Sequence, residues 1–216
     1  MPKWAKFVLG MVLVPFCVGA VNALSRVLAQ SGRAEHFWVA AVGGAMCWLV
    51  VFLLLPRPMW LYVFGHEFTH ALWIWLFGGR VKRIKVASRG GHVISNKTNF
   101  LIALAPYFFP FYAAVVVLVY ALGQWVWGWA SDSVWFHFAL GFAYAFHVTL
   151  TFEILRTRQS DITSQGYLFS ATIIFLGNAC VLLLGIPLVT SQVSLLDSLG
   201  WWLQETGLLL RRMAAH

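Results

Sequence analysis

The chain has 216 residues, 61% of them apolar and only 10% charged, with a mean hydropathy of +0.78. A soluble domain runs nearer half apolar and a quarter charged, so the composition excludes an ordinary globule, a disordered tail and a coiled coil. It points to an integral membrane protein built as a single polytopic domain over residues 1–216. Fifteen Lys and Arg against seven Asp and Glu give a net charge of +8. The basic residues fall mostly between apolar runs, where they orient a chain toward the headgroups of the lipid bilayer, so no nucleic acid partner is expected. Cys17, Cys47 and Cys180 lie apart inside apolar runs without a CxxC, which reads as packing and gives no disulfide framework.

In chain order, six segments are long enough for a bilayer core of roughly 30 Å: about 7–29, 37–55, 60–78, 99–122, 134–155 and 167–190. The first follows Lys3 and Lys6 and could mimic a signal peptide. It lacks a clean small-x-small cleavage site and another span follows, so it reads as a helix. Between the third and fourth segments, Val81, Ile84 and Val86 alternate with basic residues. Ser88-Arg89-Gly90-Gly91 is a turn signal, and His92-Val93-Ile94-Ser95 is a return strand. A short β-hairpin at the membrane surface follows. It serves either topology alone or, through an exposed strand edge, pairing with an extended substrate. Pro106 and Pro110 each remove a backbone donor and bend the fourth segment. A last stretch, about 193–210, holds Asp197 and Glu205 beside Trp201 and Trp202, which suits an interfacial amphipathic helix. An outside N-terminus places ten of the fifteen basic residues inside, with loop 79–98 cytoplasmic.

The third segment contains His66-Glu67-Phe68-Thr69-His70. On a helix, positions i and i+4 share a face, so both imidazoles can reach one metal ion. Glu67 then stands beside that ion and can take a proton from a bound water. Ionisable groups inside a span are expensive and usually functional, and three fall here within five residues. The plainer reading is a polar cluster that bonds neighbouring helices.

Gly65-His66-Glu67-Phe68-Thr69-His70-Ala71-Leu72, continued by Gly78-Gly79-Arg80-Val81, resembles the site-2 protease class of intramembrane metalloproteases, the M50 peptidases. The M50B-like branch fits best. The resemblance covers roughly residues 60–180, leaving 1–58 as accessory helices and 191–216 as an amphipathic end. It implies zinc (Zn2+) as cofactor and Glu67 as catalytic base. It also implies His66 and His70 as metal ligands, a hairpin beside the site, and a membrane-protein or peptide substrate. Ala105-Pro106 is similar to the family's AGP element, although no Gly precedes the proline.

A catalytic zinc usually has three protein ligands, with water fourth. The resemblance implies an aspartate between the last two spans, which puts Asp161 first, although its LDG element is interrupted here. His147 has a depth argument. It lies eight residues before 155, as His70 lies eight before 78, so at about 1.5 Å per residue both sit at similar depth. It could instead bind substrate or an oxyanion, or simply form a helix–helix hydrogen bond. Glu153 is the third candidate, or pairs with Arg156 or Arg158 on its own helix. Asn178 reads as a helix–helix hydrogen bond, and His36, His92, His137 and His216 are assigned no chemistry.

The expectation is an all-α membrane protein of about six transmembrane helices with a short cytoplasmic hairpin. Its activity would be intramembrane zinc proteolysis at a peptide bond in or near a substrate's span. A bacterial inner membrane is the expected location, with the site toward the cytoplasm and room for a regulatory membrane partner. Two other classes remain open: an inactive binding or chaperone-like relative, and a metal-ion transporter using the histidines. An intact Glu67 favours the protease, because binding metal does not require it.

Overall fold

A computed structural model describes residues 1–87, 90–130 and 133–215. Ser88 and Arg89 of the expected turn lie outside the described residues, as does His216. The chain is mostly helical: α1 Lys3–Ser31, α2 Glu35–Leu54, α3 Met59–Leu76, α4 Phe100–Leu104, α5 Phe111–Trp127, α6 Val134–Leu155, α7 Ser160–Gln165, α8 Tyr167–Thr190 and α9 Leu195–Ala214. Strands β1 Val81–Ala87 and β2 Gly90–Ser95 pair antiparallel, with Lys85 opposite His92, Val86 opposite Gly91, and an irregularity between Val81 and Arg83. The chain divides into two compact units, residues 1–35 with 160–216, and residues 36–159.

Fewer than six helices meet the length and apolarity of a span among the described residues. Four helices, α1, α2, α6 and α8, are long and apolar enough to cross a membrane, or five if the broken pair around Pro106–Pro110 is one span. Helix α3 is not among them, because its 18 residues carry His66, Glu67 and His70. The fourth segment is not one bent helix. Helix α4 ends in a 3-10 turn, Ala105–Tyr107, with Pro106 near its start, and α5 begins after Pro110 at 81° to it. Two prolines four residues apart withdraw two donors from consecutive turns, which breaks the helix instead of curving it.

In residues 36–159 the core is Trp48, Tyr62, Val63, Phe146 and Leu150. Helices α2 and α6 approach at backbone distance. A Cβ on Gly44 would stand 1.9 Å from the Phe138 carbonyl oxygen, and one on Gly141 would stand 1.9 Å from that of Ala41. Small residues at such a crossing are how helices associate where lipid removes the hydrophobic drive. Trp48 Nε1 donates to Thr149 Oγ1 at 2.7 Å across the same pair.

In the other unit α1 packs against α8 and α9. Gly19 leaves room for Thr206, Trp202 Nε1 donates to the Phe16 carbonyl at 2.9 Å, and Arg26 pairs with Glu205. Helix α9 is amphipathic as expected. It turns Ser198 and Thr206 inward and leaves Leu196, Leu203 and Met213 exposed. Asn178 donates to Ile174 of its own helix. The cysteines are free thiols, and Cys47 is exposed, so the packing reading fails for that one.

Candidate metal centre

Helix α3 ends at a glycine pair that sets the hairpin going. Gly78 has φ +71°, a left-handed conformation that a side chain would strain, and its N–H bonds the Trp75 carbonyl at 2.8 Å. Gly79 N–H bonds the Ile74 carbonyl at 2.8 Å, completing a Schellman motif. Lys97 Nζ reaches the Phe77 carbonyl at 2.6 Å, and Arg80 N–H donates to Asn96 Oδ1 at 2.6 Å, closing the hairpin's base. Asn99 then caps α4 through Ile102 N–H.

These caps deliver two groups to the HExxH turn. The first is the Ile102 carbonyl, which accepts a hydrogen bond from His70 Nδ1 at 2.8 Å. That bond leaves Nε2 with its lone pair for a metal, the arrangement that orients metal-binding histidines generally. The His66 and His70 rings have centroids 5.0 Å apart and planes at 80°. The two rings thus stand side by side on one face of α3, as positions i and i+4 do. Tyr107, from the 3-10 turn, stands edge-on to His66 at 5.2 Å.

The second group is Gly91. Glu67 is only 5% exposed, and its side chain lies against β2. A Cβ on Gly91 would stand 2.6 Å from Glu67 Cγ and 2.8 Å from its Oε1, and 2.6 Å from the Lys85 carbonyl oxygen. Gly91 therefore does more than supply a turn: its missing side chain is the space Glu67 occupies. The Gly-Gly pair was visible in sequence, but only the pairing of β2 with β1 over α3 shows which glycine matters.

Of the third-ligand candidates, His147 is buried on α6 and lines a cleft with His66. Glu153 is committed elsewhere, since Arg57 and Arg156 both pair with it. Arg158 does not figure in that pair, and Arg57 takes its place. Asp161 lies half-buried in the first turn of α7, in the unit of residues 1–35 and 160–216.

The structure is thus that of a helical membrane chain with two imidazoles and a buried carboxylate on one helix turn. The Peptidase M50B-like family model matches residues 38–157, more than half of the chain, and the chain belongs to that family of site-2 type peptidases. The match spans nearly the whole of the unit formed by residues 36–159. No curated protein and no solved structure matches the chain.

Proposed function

We propose that the protein is an intramembrane zinc metalloprotease that hydrolyses a peptide bond in or near the membrane-spanning segment of a protein substrate. The observation that carries this reading is the HExxH turn itself. His70 is oriented through Nδ1 by the Ile102 carbonyl, His66 stands beside it, and Glu67 is held in the niche left by Gly91. His66 and His70 would hold the ion, and Asp161 is the third ligand that the family resemblance assigns. Zinc bound there would acidify a water and polarise the attacked carbonyl.

The chain's own groups do the rest. Glu67 takes a proton from the attacking water as its oxygen bonds the carbonyl carbon. It then gives that proton to the amine as the C–N bond breaks. Burial of Glu67 at a fixed strand keeps its carboxylate aimed at one point, so the transfer needs little reorganisation. A helical substrate hides its carbonyls in i→i+4 bonds and has to unwind locally first. The active site is proposed to face the cytoplasm of a bacterial inner membrane, in keeping with the basic hairpin residues Lys82, Arg83 and Lys85.

The test is cleavage of a membrane-embedded reporter in proteoliposomes. Wild type should cut it, and Glu67→Gln should lose at least about a hundredfold in rate while keeping its zinc, since general acid–base catalysis contributes roughly 10²–10⁴-fold. Equal cleavage by both would rule the reading out.

A further inference from the structure

We propose that His147 is a second catalytic residue, donating a hydrogen bond to the scissile carbonyl oxygen as that oxygen gains negative charge. This deepens the proteolytic reading and rests on it. A narrow cleft with room for about one water opens beside the HExxH turn. Its walls come from α3, from the break around Pro106–Phe111, and from α6. Most of the wall is apolar, and its side-chain polar groups are few: Tyr62, His66, Thr69, Tyr112 and His147.

Three of these already have partners. Tyr62 and Thr151 hydroxyls bond at 3.1 Å, Tyr112 donates to the Leu61 carbonyl at 2.5 Å, and Thr69 donates to the Gly65 carbonyl at 2.7 Å. His66 is assigned to the metal. His147 is different. It is 6% exposed, and its Nε2 has no hydrogen-bond partner among the described residues. A buried polar atom left without a partner is costly, so such atoms persist where a ligand completes them.

The position fits the chemistry. His147 shares the cleft with His66, so a carbonyl polarised at the metal would have its oxygen within the same small space. With Nε2 protonated, the ring presents an N–H to that space. A fixed donor in an apolar wall is worth most to a charge that appears only in the transition state. The surrounding helix face also resists displacement of the ring, because Phe146 and Leu150 on either side of His147 are core residues.

The experiment uses the full chain in proteoliposomes with the reporter described above. His147→Phe should lower kcat about a hundredfold and move KM less than about threefold, the size of effect seen when one oxyanion donor is removed. Zinc content per chain should stay at the wild-type level. His147→Gln, which keeps a donor on a similar stem, should recover about tenfold, and it stands in if the Phe variant does not fold. Binding gives a readout independent of turnover. A phosphinic peptide, which carries a tetrahedral anionic centre, should lose about a hundredfold in affinity for His147→Phe, while the cleaved product peptide should bind as before.

Unchanged kcat in His147→Phe overturns the inference alone and leaves the protease reading standing. Loss of zinc from both variants also overturns it, because His147 would then be a ligand. Absence of cleavage by wild type removes the proteolytic reading and this inference with it.

Discussion

The two compact units use their polar residues in opposite ways. In residues 1–35 and 160–216, buried hydroxyls are closed off by backbone carbonyls: Ser170 on Ile162, Thr172 on Leu168, Thr190 on Ile186, Ser198 on Leu183 and Thr206 on Trp202. Each satisfies itself on its own or a neighbouring helix and leaves nothing for a ligand, which is how polar groups serve packing in lipid. In residues 36–159 the same bonding occurs at Thr69 and Thr149. Beside it stand a histidine whose Nδ1 is bonded to the Ile102 carbonyl, a buried glutamate seated on a glycine, and the Nε2 of His147 without a hydrogen-bond partner among the described residues. In an apolar chain, polar character alone therefore does not mark a site. Ionisable groups gathered on one helix turn beside an imidazole nitrogen with no hydrogen-bond partner among the described residues do.

The glycines sharpen this contrast, and substituting them should separate folding from chemistry. The largest effect is expected at Gly141→Leu. The added side chain would drive α6 off the Ala41 carbonyl, so the unit of residues 36–159 should lose its cooperative melting transition in detergent. Gly91→Ala should come next in activity and leave the fold largely intact. Its methyl group meets Glu67 and the Lys85 carbonyl, so reporter cleavage should fall about 10–100-fold while zinc content and helical circular dichroism hold. A fall in zinc equal to the fall in activity would mean the strand is supporting the ligands and not the base.

Gly19→Ile should act only on the other unit. It would force Thr206 away from α1 and lower the melting temperature. The smallest effect is expected at Arg26→Ala, whose partner Glu205 lies at a partly exposed surface. Less than about 1 kcal/mol of stability should be lost, read as a small shift in the same melt.

Much of this could be read in the sequence. Five of the six apolar segments became single helices whose bounds lie within a few residues of expectation, because a long apolar run in sequence is enough to mark a helix of that length. The HExxH motif and the hairpin were legible for the same reason: both are local patterns with a fixed period. What the sequence hid was non-local. Two prolines in one apolar run signal a bend, but not a break of 81° that turns Tyr107 toward His66 and the Ile102 carbonyl toward His70. Glu153 offered Arg156 and Arg158 by spacing, yet Arg57, far off in sequence, is a partner too. Gly90-Gly91 looked like turn chemistry until strand pairing placed the second glycine over Glu67.

The central claim is that α3 clasps one metal ion between two imidazoles, and X-ray absorption at the zinc edge tests it most directly. The purified wild-type chain should hold about one zinc, with scattering from two imidazoles and a remaining shell of light oxygen ligands. His66→Ala and His70→Ala should each strip the metal, and Asp161→Asn should weaken its retention. A chain that purifies without metal, or whose zinc shows no imidazole scattering and survives both histidine substitutions, would contradict the account.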